Sequence, residues 1–499
     1  MQPLMLPLLT IGIASASRAD EPFLIRVIDE QTGRGVPLVE LLTTNQIQHV
    51  TDNNGLVAFD EPGLLGERVF FHVQSHGYEF PPDRFEYRGT ALDTEVDGEA
   101  TLKLKRINIA ERLYRVTGAG LYRDTLIAGL EAPLAEPLLN GLVLGQDSVV
   151  NAVYNGKVHW FWGDTNRPAY PLGNFHVPGA TSLLPADGGL DPSVGIDLAY
   201  FLDDRGFAKE TCHMPGAGPT WINGLTVLRD PDGRERMFAT YAKIRKVLET
   251  YERGIVEFND ETKQFEKRMM FPVDAPAAPH GHPLLYTDDG VEHVHFGDPY
   301  PLTRTVADPA HVLDLSTYEC FTCLSPEGEV ERAEDGLVGW AWRRDAKPLT
   351  QKAEAELVKE GKLQPEEARL QLRDAESGDP VTAHRGSVYW NEYLQRWVMI
   401  ATQAGGTSML GEVWCAAADS PTGPWTTARK IVTHDRYSFY NPKQHPMLAQ
   451  DNGRIIFFEG TYTRTFSGNP RPTPRYDYNQ VMYRLDLADP RLALSPPAP

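Results

Sequence analysis

Short β-rich runs separated by turn residues recur along most of this chain, and that recurrence limits its fold more than any other feature. From about Thr117 to Asp486 the runs include Gly224-Leu-Thr-Val-Leu, Arg236-Met-Phe-Ala-Thr-Tyr, Gly254-Ile-Val-Glu-Phe, Val291-Glu-His-Val-His-Phe, Ser387-Val-Tyr-Trp, Arg396-Trp-Val-Met-Ile and Arg454-Ile-Ile-Phe-Phe. Radial repetition of four-stranded sheets protects strand edges from stray pairing, and residues 117–490 divide into about five blades of that size. A large sandwich or another blade number satisfies the same pattern. Residues 20–106 show the same alternation on a smaller scale: Phe23-Leu-Ile-Arg-Val-Ile, a turn at Gln31-Thr-Gly-Arg-Gly, Val36-Pro-Leu-Val-Glu-Leu-Leu, and a turn at Thr51-Asp-Asn-Asn-Gly55. Strands at this spacing predict a small antiparallel β-sandwich. The expected fold class is therefore all-β, a β-sandwich followed by a five-bladed β-propeller.

One stretch breaks the pattern, within about residues 345–380. From Leu349 to about Ala375 the sequence predicts two helices, the first ended by Gly361 and the second opened by Pro365 at its first position. A solvated helical insertion between blades is expected.

At 499 residues the chain exceeds one ordinary domain, and 48 basic against 68 acidic residues give a net charge of −20. That balance argues against nucleic-acid binding, which needs a Lys/Arg surplus to neutralise phosphates. Residues 1–19 read as a secretory signal: Leu4 to Ile13 is a short apolar run, followed by small residues and cleavage patterns at Ala14-Ser15-Ala16 or Ser17-Arg18-Ala19, although the usual basic start is missing. No segment approaches the length of a membrane span, so a secreted protein is expected. Cys212, Cys320, Cys323 and Cys415 are an even number compatible with two bridges; Cys320-Phe-Thr-Cys323 lacks the second such pair that would complete a zinc site and reads as a local bridge or two free thiols.

The chemistry concentrates in Gly145 to Thr165. Asn155-Gly156 is a type I′ turn signal between two β-rich runs, so the chain folds back and brings Asp147 alongside Asp164 at one sheet end. Paired carboxylates suit glycoside cleavage, one protonating the leaving oxygen and the other activating water or attacking the sugar. Either residue could instead be a turn former bonded to nearby backbone. Glu412 and Glu459, beside aromatic strands, are competing catalytic carboxylates, with Glu257, Glu292 and Asp298 as further options; a Glu between apolar strand residues is uncommon unless paired, so Glu459 needs a partner such as Arg464. Trp160 and Trp162, two apart on one strand face, are stacking candidates with Trp221 and Tyr440. Asn223, Arg167 and Arg385 are candidate donors to sugar hydroxyls, and His282 and His445 candidate pocket residues. His280, His384 and the His293/His295 pair read as structural, and neither a metal nor a cofactor is expected.

Two resemblances extend this reading. The N-terminal order V-x-D-x-x-T-G-x-G-V-P, then T-D-x-x-G and S-H-G-Y, resembles the carboxypeptidase-regulatory-like (transthyretin-like) sandwich, a module that accompanies catalytic domains. The strand ending Gly163-Asp164-Thr165, preceded by Gly145-x-Asp147-Ser148, resembles the first blade of DUF4185-type five-bladed propellers, which include endo-acting D-arabinofuranosidases. Asp419-Ser-Pro-Thr-Gly-Pro-Trp425 and Phe439-Tyr-Asn-Pro-Lys-Gln-His-Pro446 are similar to later blades of such propellers. The resemblance implies that Asp147 and Asp164 are the acid/base pair and that the substrate is a furanosidic, arabinan-like polysaccharide. The alternative is a non-catalytic glycan-binding or surface scaffold propeller.

Overall fold

The computed structural model describes residues 21–434, 436–492 and 494. The expected signal segment lies outside them. Among the described residues no helix is long and apolar enough to cross a membrane.

Alternation builds the N-terminal unit. Phe23–Asp29 buries every second residue, so Phe23, Ile25 and Val27 face a core shared with Leu41, Phe71 and Leu104. Two four-stranded sheets supply that core. One runs Leu56–Phe59, Phe23–Asp29, Glu99–Arg106, Tyr78–Glu79, and the other Gln48–Val50, Glu40–Thr43, Arg68–Gln74, Gly89–Asp93.

The remainder, among the described residues, is a ring of five sheets and a further small sheet of Gly145–Gln146, Thr165–Arg167 and Tyr170–Asn174. The first, innermost strands of the ring are Val150–Tyr154 (blade 1), Thr220–Arg229 (blade 2), His282–Asp288 (blade 3), Ala383–Asn391 (blade 4) and Ser438–Gln444 (blade 5). Blades 1 to 3 then add strands outward in chain order. Blade 5 closes the ring: after Ile455–Thr463 and Asn479–Asp486 its outermost strand is Glu111–Arg115, which precedes blade 1 in sequence. Joining the two ends of the propeller in one sheet removes the open ends of the array.

The sandwich is fixed to that closing region by buried polar contacts. Asn53 Nδ2 donates to Arg115 O (3.0 Å) and Arg115 N donates back to Asn53 Oδ1 (2.9 Å), while Thr433 N donates to Asn108 Oδ1 (3.0 Å). Asp52 accepts from both the backbone and hydroxyl of Thr125 at 2.7 Å.

The insertion is only half helical. Gln351–Lys359 is an α-helix, capped by the Thr350 hydroxyl, but residues 365–367 make a single 3₁₀ turn and Leu370–Asp374 is a strand. That strand runs parallel to Trp425–Val432 at the edge of blade 4. Leu370 and Leu372 alternate into the blade core, and this period of two overrides the helical propensity of the segment. Glu354 ties the helix down: its buried carboxylate accepts from Tyr300 Oη (2.9 Å), Arg369 N (2.8 Å) and Leu370 N (3.0 Å). All four cysteines are free and buried.

Candidate active site

The hairpin of blade 1 turns at Asn155-Gly156, both in the left-handed region, and pairs Val150 with Phe161 and Tyr154 with Lys157. Beyond Val150 the two arms stay together. Gly163 N donates to Asp147 O (2.8 Å), Asp147 N contacts Asp164 O at 3.4 Å, and Gly145–Gln146 pairs with Thr165 and Asn166. Asp147 and Asp164 therefore meet where the innermost strand of blade 1 begins. Gly163 is required there, because a Cβ on it would sit 2.1 Å from Asp147 Oδ1.

Bonds between blades place this point on a mouth of the propeller. Tyr440 Oη of blade 5 donates to Asp147 Oδ2 (2.9 Å), and Asn441 Nδ2 to Ser148 Oγ (2.6 Å). Trp221 Nε1 of blade 2 donates to Asp164 Oδ1 (2.9 Å). Asn223 Oδ1 accepts from Gly281 N of blade 3 (3.2 Å), and Asp298 Oδ1 from Gly386 N of blade 4 (3.1 Å). The beginnings of the inner strands thus converge at one end of the ring, with the half-buried Asp147 and Asp164 among them.

The backbone around Asp147 is strained. Ser148 (φ 51°), Asn441 (φ 53°) and Tyr478 (φ 67°) are all left-handed without being glycine, and each touches Asp147 or the residue beside it. Such conformations cost of order 1–3 kcal/mol each and persist where surrounding contacts over-determine them. Here the contact is a pair of phenols: Tyr440 and Tyr478 both hydrogen-bond the Asp147 carboxyl. Tyr478 carries no signal in the sequence, since only the closure of blade 5 against blade 1 brings it to Asp147.

Electrostatics separate the two acids. Burial, followed by the charge of Asp164, pushes Asp147 up to about 7, against the opposing bonds from Tyr478 and Tyr440. Asp164 is also raised by burial, but its indole donor favours the ionised form. Near neutrality Asp147 is therefore poised between holding and releasing its proton, while the indole bond at Asp164 favours the carboxylate there.

A third acid lies farther round the mouth. Asp298 is flanked by His280 Nε2 (3.4 Å) and Arg385 Nε (3.5 Å). Burial works to raise it, yet His280 and Arg385 together hold it below the ordinary carboxylate range. A cavity of about 290 Å³ opens there, lined by His280, Phe296, Asp298, His384 and Arg385. Arg385 is thus at the mouth, as is Trp221, while the side-chain oxygen of Asn223 is occupied by Thr240 Oγ1 and Gly281 N.

Other candidates lie elsewhere. Trp160 and Trp162 are not sugar platforms: they are 0 % and 1 % exposed and stack on each other, with Trp160 Nε1 bonded to Ser182. Their shared strand face points into the blade core. His445 is sealed likewise, its Nδ1 2.9 Å from Asn151 Nδ2 and its ring against Trp160. Arg167 lies over the Phe207 ring. Glu412 is bound by Thr407 Oγ1, Thr433 Oγ1 (3.1 Å) and Lys430 Nζ (3.4 Å), partners that hold a structural ion pair. Glu459 is fully buried with His445 Nε2 at 3.8 Å, not paired to Arg464, and burial pushes it up to about 8. Lys443 beside it is driven down to about 7 by burial, and His282 to about 3 by burial and Lys443. This axial cluster is a plug of weakly charged groups inside the ring. Glu257 pairs with Arg236 and Arg268 on the outer strands of blade 2, and the His295 ring packs on Trp342.

No family model and no curated protein matches the chain. Solved structures with a similar arrangement of strands include an exo-β-1,3-galactanase from Phanerochaete chrysosporium with galactose, at 9% identity and a TM-score of 0.38, covering 76% of this chain. The chain spans 65% of that enzyme, just under two thirds of its length. An exo-1,5-α-L-arabinanase from a bovine ruminal metagenomic library matches at 10% identity and a TM-score of 0.34, over 69% of this chain and 94% of its own. A GH43_1 enzyme from Xanthomonas citri complexed with xylose matches at 12% identity and a TM-score of 0.32, over 68% and 87%. At these scores the fold stands on its own strand pairing, and the function on its own site.

Proposed function

We propose that the protein is a glycoside hydrolase in which Asp147 is the general acid and Asp164 the base or nucleophile. The observation that carries this reading is a pair of adjacent, half-buried carboxyls at one end of the propeller, each bonded by donors from another blade. Asp147 is held up to about 7 by burial and its neighbour, while Asp164 is bonded by an indole N–H. Glycosidic cleavage needs one carboxylic acid and one carboxylate near neutrality, and this arrangement supplies both. Trp221 offers an aromatic edge beside Asp164, and the cavity at His280, Asp298 and Arg385 would take further sugar hydroxyls.

The substrate we propose is an exported-enzyme target, a furanosidic polysaccharide of the arabinan class, on the strength of the blade 1 and blade 5 motifs. The alternative, a glycan-binding propeller without catalysis, draws support from the opposite mouth, where about 410 Å³ of open space is lined by Trp390, Trp397, Tyr389, Leu285 and Met447 without a carboxylate. Reducing-end release from a panel of furanosidic and pyranosidic polysaccharides, with Asp147→Asn and Asp164→Asn alongside, separates the two. Release that both substitutions abolish supports the hydrolase. Binding without release, unchanged by either substitution, would overturn it.

A further inference from the structure

A second cluster stands between blades 1 and 2, apart from the carboxyl pair and unused by it. His176, Glu210 and His213 each offer one donor atom, and these atoms lie within 4.8 Å of one another. The two imidazole rings are 4.3 Å apart, and His213 Nδ1 lies 2.8 Å from Glu210 Oε2. Nothing in the linear sequence marks the group, because His176 comes from the loop before Gly179–Ser182 and the other two from the approach to blade 2.

The loops that carry these residues are tied together by backbone. Cys212 N donates to His176 O (2.9 Å), Thr211 N to Val177 O (2.9 Å) and Thr220 N to Phe175 O (2.9 Å). Asn174 fixes the turn into the histidine, its Oδ1 accepting from His176 N (2.9 Å) and its Nδ2 donating to Ala208 O (3.0 Å). The three side chains are therefore brought together before any ligand arrives. His176 Nδ1 also lies 3.3 Å from Thr220 Oγ1, a hydroxyl contact that holds the ring in place. Lys243 Nζ, whose charge reaches His176, is bound by the carbonyl oxygens of Met214, Gly216 and Gly218.

We propose that His176, Glu210 and His213 form a zinc-binding site with a fourth position open to water. Two imidazoles and one carboxylate are a zinc donor set, whereas calcium and magnesium take oxygen ligands. Bonds of about 2.0–2.2 Å bring donors to roughly 3.3 Å apart, so the ligands must draw in slightly. The half-exposed His213 side chain has the freedom to do so. Metal there would clamp the blade 1 loop to the approach to blade 2, where Thr220, in contact with His176, precedes Trp221, the donor to Asp164.

The test uses the untagged full chain, stripped with chelator and titrated with Zn²⁺ by calorimetry, with metal content measured after dialysis. Expected are one zinc per chain, a rise in thermal midpoint on zinc addition, and visible absorption of a four- or five-coordinate ion when Co²⁺ replaces zinc. His176→Ala and His213→Ala should each weaken binding by at least roughly tenfold, Glu210→Gln should weaken it too, and His311→Ala should not. Far-UV circular dichroism of the metal-free proteins keeps the comparison independent of misfolding. No uptake by the wild type, or stoichiometric uptake that survives the His176→Ala/His213→Ala double substitution, would overturn the proposal.

Discussion

Replacing Asp147 by Asn should abolish hydrolysis and yet stabilise the fold at neutral and alkaline pH. Asp147 titrates at about 7 in the folded protein against an ordinary 3.8, with burial as the largest cause. The folded state therefore binds this proton more tightly than the unfolded chain. Its stability from this group is highest below the ordinary value and declines as pH rises towards 7. That interval, at about 1.4 kcal/mol per pH unit, corresponds to a loss of about 4 kcal/mol once Asp147 is fully ionised. Asn cannot ionise, and its amide oxygen can take the place of the carboxyl oxygen that accepts from Tyr440 Oη. The stability difference between variant and wild type should thus grow by a few kcal/mol between pH 4 and pH 8. Urea unfolding followed by tryptophan fluorescence at several pH values measures it. Subtracting wild type from variant cancels other titrating groups, Glu459 included. A difference that stays flat across that range would refute the argument, because Asp147 would then ionise as an ordinary carboxyl.

Further outcomes follow from the same geometry. Tyr440→Phe removes a bond that favours ionised Asp147, so the alkaline limb of the kcat/KM profile should move to higher pH. Trp221→Phe removes the indole donor to Asp164, so the acid limb should rise, with activity lower by about tenfold or more. Glu354→Ala strands Tyr300 Oη and the Arg369 and Leu370 amides, and should cost about 2–3 kcal/mol by thermal unfolding, with Glu354→Gln milder. Trp162→Ala should cost about 3–5 kcal/mol as a core cavity, measurable by denaturant midpoint.

Local pattern made much of this protein legible. Alternation over Phe23–Asp29 predicts a sandwich strand, and the Asn155-Gly156 turn brings Asp147 to Asp164, because both rest on contacts within a few residues. Where a segment's partner is remote, the sequence misleads. Leu370–Asp374 has helical composition but becomes a strand by lying against Trp425–Val432, and Trp160 and Trp162 share a strand face that opens inward. The same holds for charge: the sequence marks Glu459 as a Glu in need of a partner, and only the tertiary structure shows that the neighbour is His445.

The sequence by itself thus determined the strand-rich class and the hairpin that pairs two aspartates, since turn geometry and period-two burial are local. Only the tertiary structure decided which aspartate holds its proton, because Tyr440, Tyr478 and Trp221 arrive from other blades. It also decided that His176 meets His213, because backbone bonds between separate loops bring them together. Both are products of packing one blade against another, contacts that no short window of residues encodes.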